Sequence, residues 1–267
     1  MGRRRVKNAD RVRTKRPLEG RTILVTRSEQ TAPAFAEQLS ERGAIPILAP
    51  AIEVVRAEDA VLDGAIEGLS SGRFEWVLFT SRSGVQAVAG RLAERGMNGS
   101  WIHASVGAVG EGTAQELQEF GIRAALVPHE FTTRALGDVM PAGSGDVLVA
   151  RADIATEDLE SALSAKGWTP VRLNAYRTLF RDRMPPEAAE MLRDGGLDAI
   201  TFTSASTVEG FMKMVGSLEG FRSARAKVVC IGPVTAAAAK EEGLAVASIA
   251  DPHTIDGLLA ALEALFT

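Results

Sequence analysis

This chain of 267 residues contains one cysteine, one tyrosine and three histidines. A lone Cys230 excludes a disulfide framework and a cysteine-built zinc site, and its apolar surroundings mark it as a buried core thiol. Three histidines without a His-x-x-x-His pair leave little for a metal centre, so no metal is expected. No apolar run approaches the ~18–20 residues of a membrane span. The expected setting is therefore a reduced cytoplasm, away from the membrane. There is no Gly-Lys-Ser/Thr phosphate loop. Gly107-Ala108-Val109-Gly110-Glu111-Gly112 spaces its glycines wrongly for a dinucleotide fingerprint.

Positive charge is also scarce outside one stretch. Arg3, Arg4, Arg5, Lys7, Arg11, Arg13, Lys15 and Arg16 stand against Asp10 and Glu19, so the rest of a chain of net charge −4 is strongly acidic. The basic stretch has no apolar segment and is not a secretory signal. Basic tails can bind nucleic acid or membrane surfaces. A disordered arm over residues 1–19 is the simpler reading. No helix-turn-helix segment is left over, and no nucleic-acid partner is expected.

What the chain does have is internal doubling. Ile23-Leu24-Val25-Thr26-Arg27 is echoed by Val147-Leu148-Val149-Ala150-Arg151. Gly43-Ala44-Ile45-Pro46 is echoed by Gly167-Trp168-Thr169-Pro170, and Phe79-Thr80-Ser81 by Phe202-Thr203-Ser204. Gly110-Glu111-Gly112-Thr113-Ala114 returns as Gly232-Pro233-Val234-Thr235-Ala236. The near-constant offset indicates a duplication of a domain-sized unit, longer than a solenoid repeat.

Each copy reads as alternating strands and helices. Strands are expected at 22–27, 45–48, 75–80, 102–109 and 123–127, and again at 146–150, 170–173, 199–203, 228–231 and 245–249. Helices fill most of the gaps, two of them stopped by Gly43 and Gly167. Such alternation gives parallel sheets covered on both faces. Five strands per copy is the flavodoxin-like count, with ligands at the carboxyl ends of the strands. The expected fold is α/β, two flavodoxin-like parallel-sheet domains. Extended segments at 51–55 and 174–180 follow the second strand of each copy and can pair as an antiparallel hinge. Either each copy folds by itself, or the first two strands of the first copy join the last three of the second.

The expected site lies at the strand ends. Helix N-termini there present unpaired N–H groups and positive dipole. The candidates are Ser81, Arg82 and Ser83; Gly110, Gly112 and Thr113; Ser204 and Ser206; and Gly232, Val234 and Thr235. Ser and Thr at these positions can equally serve as helix caps. Arg27 and Arg151 end matching strands, where plain surface solvation is the alternative. The four motifs contain a single basic residue, Arg82.

In the order and spacing of these motifs, from about residue 20 to the C terminus, the chain resembles the uroporphyrinogen-III synthases. The residues that carry the likeness include the opening at 23–27, Phe79-Thr80-Ser81 with Gly84-Val85, Val109-Gly110 with Thr113-Ala114, the segment around Tyr176, residues 198–204, and Ile231-Gly232-Pro233 with Thr235-Ala236. Val234 departs from relatives that place a second threonine there. The resemblance implies the exchanged arrangement: one domain of 20–50 plus 181–267, another of 56–173, joined by 51–55 and 174–180. It implies a cofactor-free closure of the small-molecule substrate hydroxymethylbilane to uroporphyrinogen III, with loss of water and inversion of ring D through a spiro intermediate. A monomer is expected. Tyr176, the only tyrosine, then becomes the candidate proton donor to the departing hydroxyl, against packing in the ladder. His103, His129 and His253 are weaker candidates for the same proton. The rival to an enzyme is a two-lobed binder of a small anion that turns nothing over.

Overall fold

A computed structural model describes residues 16–216 and 226–267. Two five-stranded sheets organise the chain. Sheet A takes strands from both ends of the sequence: β1 (Thr22–Val25), β2 (Ile45–Leu48), β8 (Ala199–Phe202), β9 (Lys227–Cys230) and β10 (Val246–Ile249), in the order β10-β9-β8-β1-β2. Sheet B holds the middle: β3 (Ile52–Arg56), β4 (Phe74–Phe79), β5 (Ser105–Ala108), β6 (Asp146–Ala152) and β7 (Thr169–Phe180), in the order β3-β7-β6-β4-β5. All pairings are parallel except β3 with β7, where Ile52 faces Phe180 and Arg56 faces Tyr176. In both sheets the strand that ends in the repeated arginine, β1 or β6, lies between its successor in sequence and the strand that ends in Phe-Thr-Ser.

Helices cover both faces of each sheet. On sheet A, Ile23 and Val25 pack with Phe35 and Leu39 of α1 (Ala32–Glu41) and with Leu258, Leu259 and Leu262 of α10 (Ile255–Phe266). The alternate residue Leu24 turns to the other face, onto Phe211 and Met214 of α8 (Ala205–Val215) and Ala236 of α9 (Pro233–Glu241). On sheet B, Phe79 and Leu148 meet α2 (Asp59–Ser70), α3 (Arg82–Glu94) and Leu117 of α4 (Glu111–Glu119). Leu78, Val147 and Val149 face α5 (Thr133–Val139) and α6 (Asp158–Ala165). Helices on both faces leave every residue of β1 and β8 buried, so neither strand alternates apolar with exposed polar residues, and the Thr201 hydroxyl in β8 donates to the Leu24 carbonyl. The remaining helix, α7 (Pro186–Arg193), packs Ala188 and Leu192 into the α8 side of sheet A.

Three expectations need correction. The strand expected at 123–127 is reduced to one bridge, Gly107 to Leu126, and β3 supplies the fifth strand of sheet B. Ala124 and Ala125 have weak strand preference, and Pro128 brings no N–H donor to a ladder. The segments 170–173 and 174–180 form one strand, β7, with only a register shift near Asn174 where β6 ends. The basic arm is shorter than expected at its inner end. Residues 17–20 form a turn that buries Leu18 completely against sheet A, while Arg16 donates to the Glu41 carbonyl. Residues 1–15 of that arm lie outside the described residues. Among the described residues, no helix is long and apolar enough to cross a membrane.

Candidate functional site

The carboxyl ends of the two sheets are turned toward each other. Arg27, two residues past Val25 at the end of β1, feels the charge of Arg82 at the start of α3, although the two follow strands of different sheets. The rings of Phe131 and His253 meet edge to face across the same gap, with centroids 5.7 Å apart. Phe131 lies over the Gly110 turn, where an added Cβ would come within 2.8 Å of its ring. His253 lies over the Gly232 turn, 3.5 Å from the corresponding position. Both turns are therefore roofed by an aromatic ring, and the two roofs touch.

The helix starts divide into two kinds. Ser81 caps α3, accepting from the Gly84 N–H at 3.1 Å. Ser204 caps α8, accepting from the Thr207 N–H at 3.2 Å in a reciprocal capping box. By contrast, α4 and α9 begin at Gly110 and Gly232 with no side-chain cap, so their first N–H groups rely on other partners. Thr113 and Thr235 occupy the third helical position and are only 6% and 4% exposed, so their hydroxyls are turned into the fold. Val234 is 52% exposed, and Gly112, Ser83 and Ser206 are half-buried.

The two matched arginines differ. Arg27 is 8% exposed; its Nε donates to Thr31 Oγ1 at 3.3 Å, and its buried Nη1 has no hydrogen-bond partner. Burial, with the nearby Arg82 adding to it, lowers its pKa to about 10. Arg151 is 2% exposed and forms a short ion pair with Glu160, which also receives Arg172 at 3.4 Å. Arg172 in turn donates to the carbonyls of Ala152, Asp153 and Ala155, fastening the loop after β6. The structure thus places Arg151 behind the cleft wall rather than on it.

Tyr176 is 9% exposed, and its phenol donates to Ser81 Oγ at 2.9 Å. Burial raises its pKa above the ordinary tyrosine value, while the Ser81 hydrogen bond and Arg151 offset part of the rise. It therefore holds its proton at neutral pH. His103 and His129 are exposed and stand on loops. Cys230 is fully buried, with burial pushing its thiol up to about 12, an inert core group. Sequence reasoning passed over Phe131 and Glu160. An aromatic in the otherwise polar stretch Pro128-His129-Glu130-Phe131-Thr132 was a usable signal for the first; nothing local marks the second.

A cavity of about 550 Å³ lined by Arg21, Asp198 and Lys227 opens at the amino ends of sheet A, away from these groups. Ligands of parallel α/β sheets sit at the opposite, carboxyl ends, so the gap between the sheets is the candidate site.

Two doubly wound sheets facing each other at their carboxyl ends define a two-lobed α/β protein. Solved structures share that fold. A mutant uroporphyrinogen III synthase of the extreme thermophile Thermus thermophilus superposes with a TM-score of 0.67 at 23% identity, covering 92% of this chain and 98% of that one. The synthetase of Helicobacter pylori gives a TM-score of 0.56 at 18% identity, covering 92% and 99%. The family model for uroporphyrinogen-III synthase HemD matches residues 33–260. The uroporphyrinogen-III synthase of Synechococcus elongatus is 32% identical over 92% of this chain and 96% of its own length. The porphyrin biosynthesis protein HemD of Ruminiclostridium josui is 34% identical over 92% of this chain, which spans 48% of that longer relative. The chain belongs to the uroporphyrinogen-III synthase family, enzymes of tetrapyrrole biosynthesis.

Proposed function

We propose that this chain closes hydroxymethylbilane to uroporphyrinogen III, with loss of water and inversion of ring D through a spiro intermediate. Family membership supports the reaction, and the unpaired Arg27 supports the mode of binding. A buried guanidinium without a counter-charge is costly, and a substrate carboxylate at the cleft mouth offsets that cost. The remaining carboxylates are held by Arg82 and by the helix starts at Ser81–Ser83, Gly110–Thr113, Ser204–Ser206 and Gly232–Thr235. Backbone N–H groups and helix dipoles bind anions without a basic cluster. Val234 contributes through its N–H.

Tyr176 is the proton source for the departing hydroxyl. Once the hydroxyl leaves, ring D attacks through its substituted carbon, and the enzyme's main task is to hold the substrate folded so that this carbon is the one in reach. Arg151 stands behind Tyr176, its charge held by Glu160, and favours release of the phenolic proton.

The working units are 20–50 with 181–267 and 56–173. They open and close about 51–55 and 174–180, the β3–β7 ladder, which supports hinge motion because it is the antiparallel connection between the two. The enzyme works as a cytoplasmic monomer on this small molecule alone. Incubation with hydroxymethylbilane, followed by oxidation and isomer analysis, tests the reaction. Isomer III supports it. Isomer I at the uncatalysed rate, with the substrate nonetheless bound, makes the protein a receptor.

A further inference from the structure

We propose that Ser81, rather than Tyr176, is the group that directly protonates the departing hydroxyl, and that the phenol acts by reloading it. This rests on the proposed reaction and assigns the path of its proton. A hydroxyl has two lone pairs and one proton to offer. Ser81 Oγ accepts from the Tyr176 phenol at 2.9 Å and from the Gly84 N–H at 3.1 Å. Both lone pairs are thus filled, and only its own O–H remains, a donor with no capacity to accept. Tyr176 is buried in the wall, whereas Ser81 is half-buried at the α3 start, beside Arg82. Ser81 therefore stands between the phenol and the gap.

The step balances. The C–O bond of the hydroxymethyl group breaks with its electron pair on oxygen. The pyrrole nitrogen supplies electrons to form the azafulvene cation. The Ser81 proton goes to the leaving oxygen, which departs as water, and the Tyr176 proton moves onto Ser81. The tyrosinate, with Arg151 nearby, later takes the proton that the closed macrocycle releases at its new junction. The Arg151 charge near the phenol favours release of its proton toward Ser81, offsetting part of the opposing effects of burial and Asp153.

The test is a double-variant cycle in single-turnover assays of isomer III. Tyr176→Phe and Ser81→Ala are each expected to slow turnover about 10- to 100-fold, the lower range for a proton donor whose leaving group departs readily. If the phenol works through Ser81, the double variant is no slower than Ser81→Ala alone. Losses that multiply overturn the relay. Ser81→Thr keeps the hydroxyl and is expected to restore most of the rate. A proton inventory gives an independent readout that a capping role would not move: curved in the wild type, with two protons in flight, and linear in Tyr176→Phe. A linear inventory in the wild type overturns the proposal even if Ser81→Ala fails to fold. Wild-type protein that forms no isomer III overturns the proposed function and the relay with it, whereas normal wild-type turnover with multiplying losses overturns the relay alone.

Discussion

The two matched strand ends begin from nearly the same sequence and end in different chemistry. In sheet B the arginine, Arg151, is buried and neutralised by Glu160, and the serine, Ser81, carries a phenol from 95 residues away. In sheet A the arginine, Arg27, has no carboxylate partner among the described residues. Its serine, Ser204, closes on itself: Thr207 Oγ1 accepts from the Ser204 N–H at 3.2 Å, and Ser206 Oγ lies 2.9 Å from Ser204 Oγ. A short motif at the end of a parallel strand reliably produces a capped helix start. What that start does is decided by residues distant in sequence. In the proposed reaction both ends offer donors to carboxylates, the sheet A end adds the arginine without a counter-charge, and the sheet B end alone joins its serine to a phenol.

Four experiments sharpen or break this difference. The largest effect is expected from Glu160→Ala, which leaves Arg151 buried without its counter-charge and costs about 3–5 kcal/mol of stability. Thr31→Ala, at the corresponding arginine of the other lobe, is expected to cost less, about 1–2 kcal/mol, because the hydrogen bonds its hydroxyl makes to Arg27 and Ser28 are half-buried and leave no charge newly unpaired. Urea unfolding of both variants measures the contrast, and equal midpoints would end it. Next, Arg27→Ala is expected to raise KM about 10- to 100-fold, the scale of a hydrogen bond to a charged group, while kcat stays near the wild-type value. A fall in kcat with KM unmoved would place Arg27 in the chemistry instead.

Ser204→Ala is expected to cost about 1 kcal/mol of stability, the worth of a helix cap, with turnover within a few-fold of normal. If it slows turnover as much as Ser81→Ala, the two ends are equivalent and the comparison fails. The smallest effect is in pH. Arg27 is a base whose pKa is lowered to about 10, so free enzyme loses its charge, and kcat/KM halves, as pH rises through that value. Tyr176 is an acid with a raised pKa, so its proton is retained past the ordinary tyrosine range and kcat declines at higher pH than kcat/KM does. The reverse order in a pH–rate profile would exchange the two assignments. The same shift has a stability sign. Folding disfavours the Arg27 charge, a cost present below about pH 10 and relieved as the group deprotonates above it.

Much of the fold is legible in the sequence because its signals are local. β-branched runs mark the buried strands, and Gly43 and Gly167, at φ of 88° and 94°, mark two helix ends where the chain turns left-handed. The strand expected at 123–127 fails because two alanines weaken its strand preference and Pro128 ends it, so only Leu126 bridges to sheet B. Leu18 reads as part of the arm because a single apolar residue after a basic run has no periodicity. The site is legible as a set of positions but not as a set of roles. Nothing in the residues around Arg27 and Arg151 says that one will face an acid and the other will not, since Glu160 reaches Arg151 only through the turn into α6. The Tyr176–Ser81 bond spans most of sheet B and depends on β7 being one continuous strand.

The meeting of Phe131 and His253 above the two glycine turns has a consequence for populations. An edge-to-face aromatic pair contributes about 0.5–1.5 kcal/mol beyond its buried area, so in the proposed hinge motion this one contact would favour closure by roughly two- to tenfold. In that proposed motion the contact is a weak latch, one that a substrate carboxylate reaching the donors beneath the rings would displace at a cost no larger than that pair.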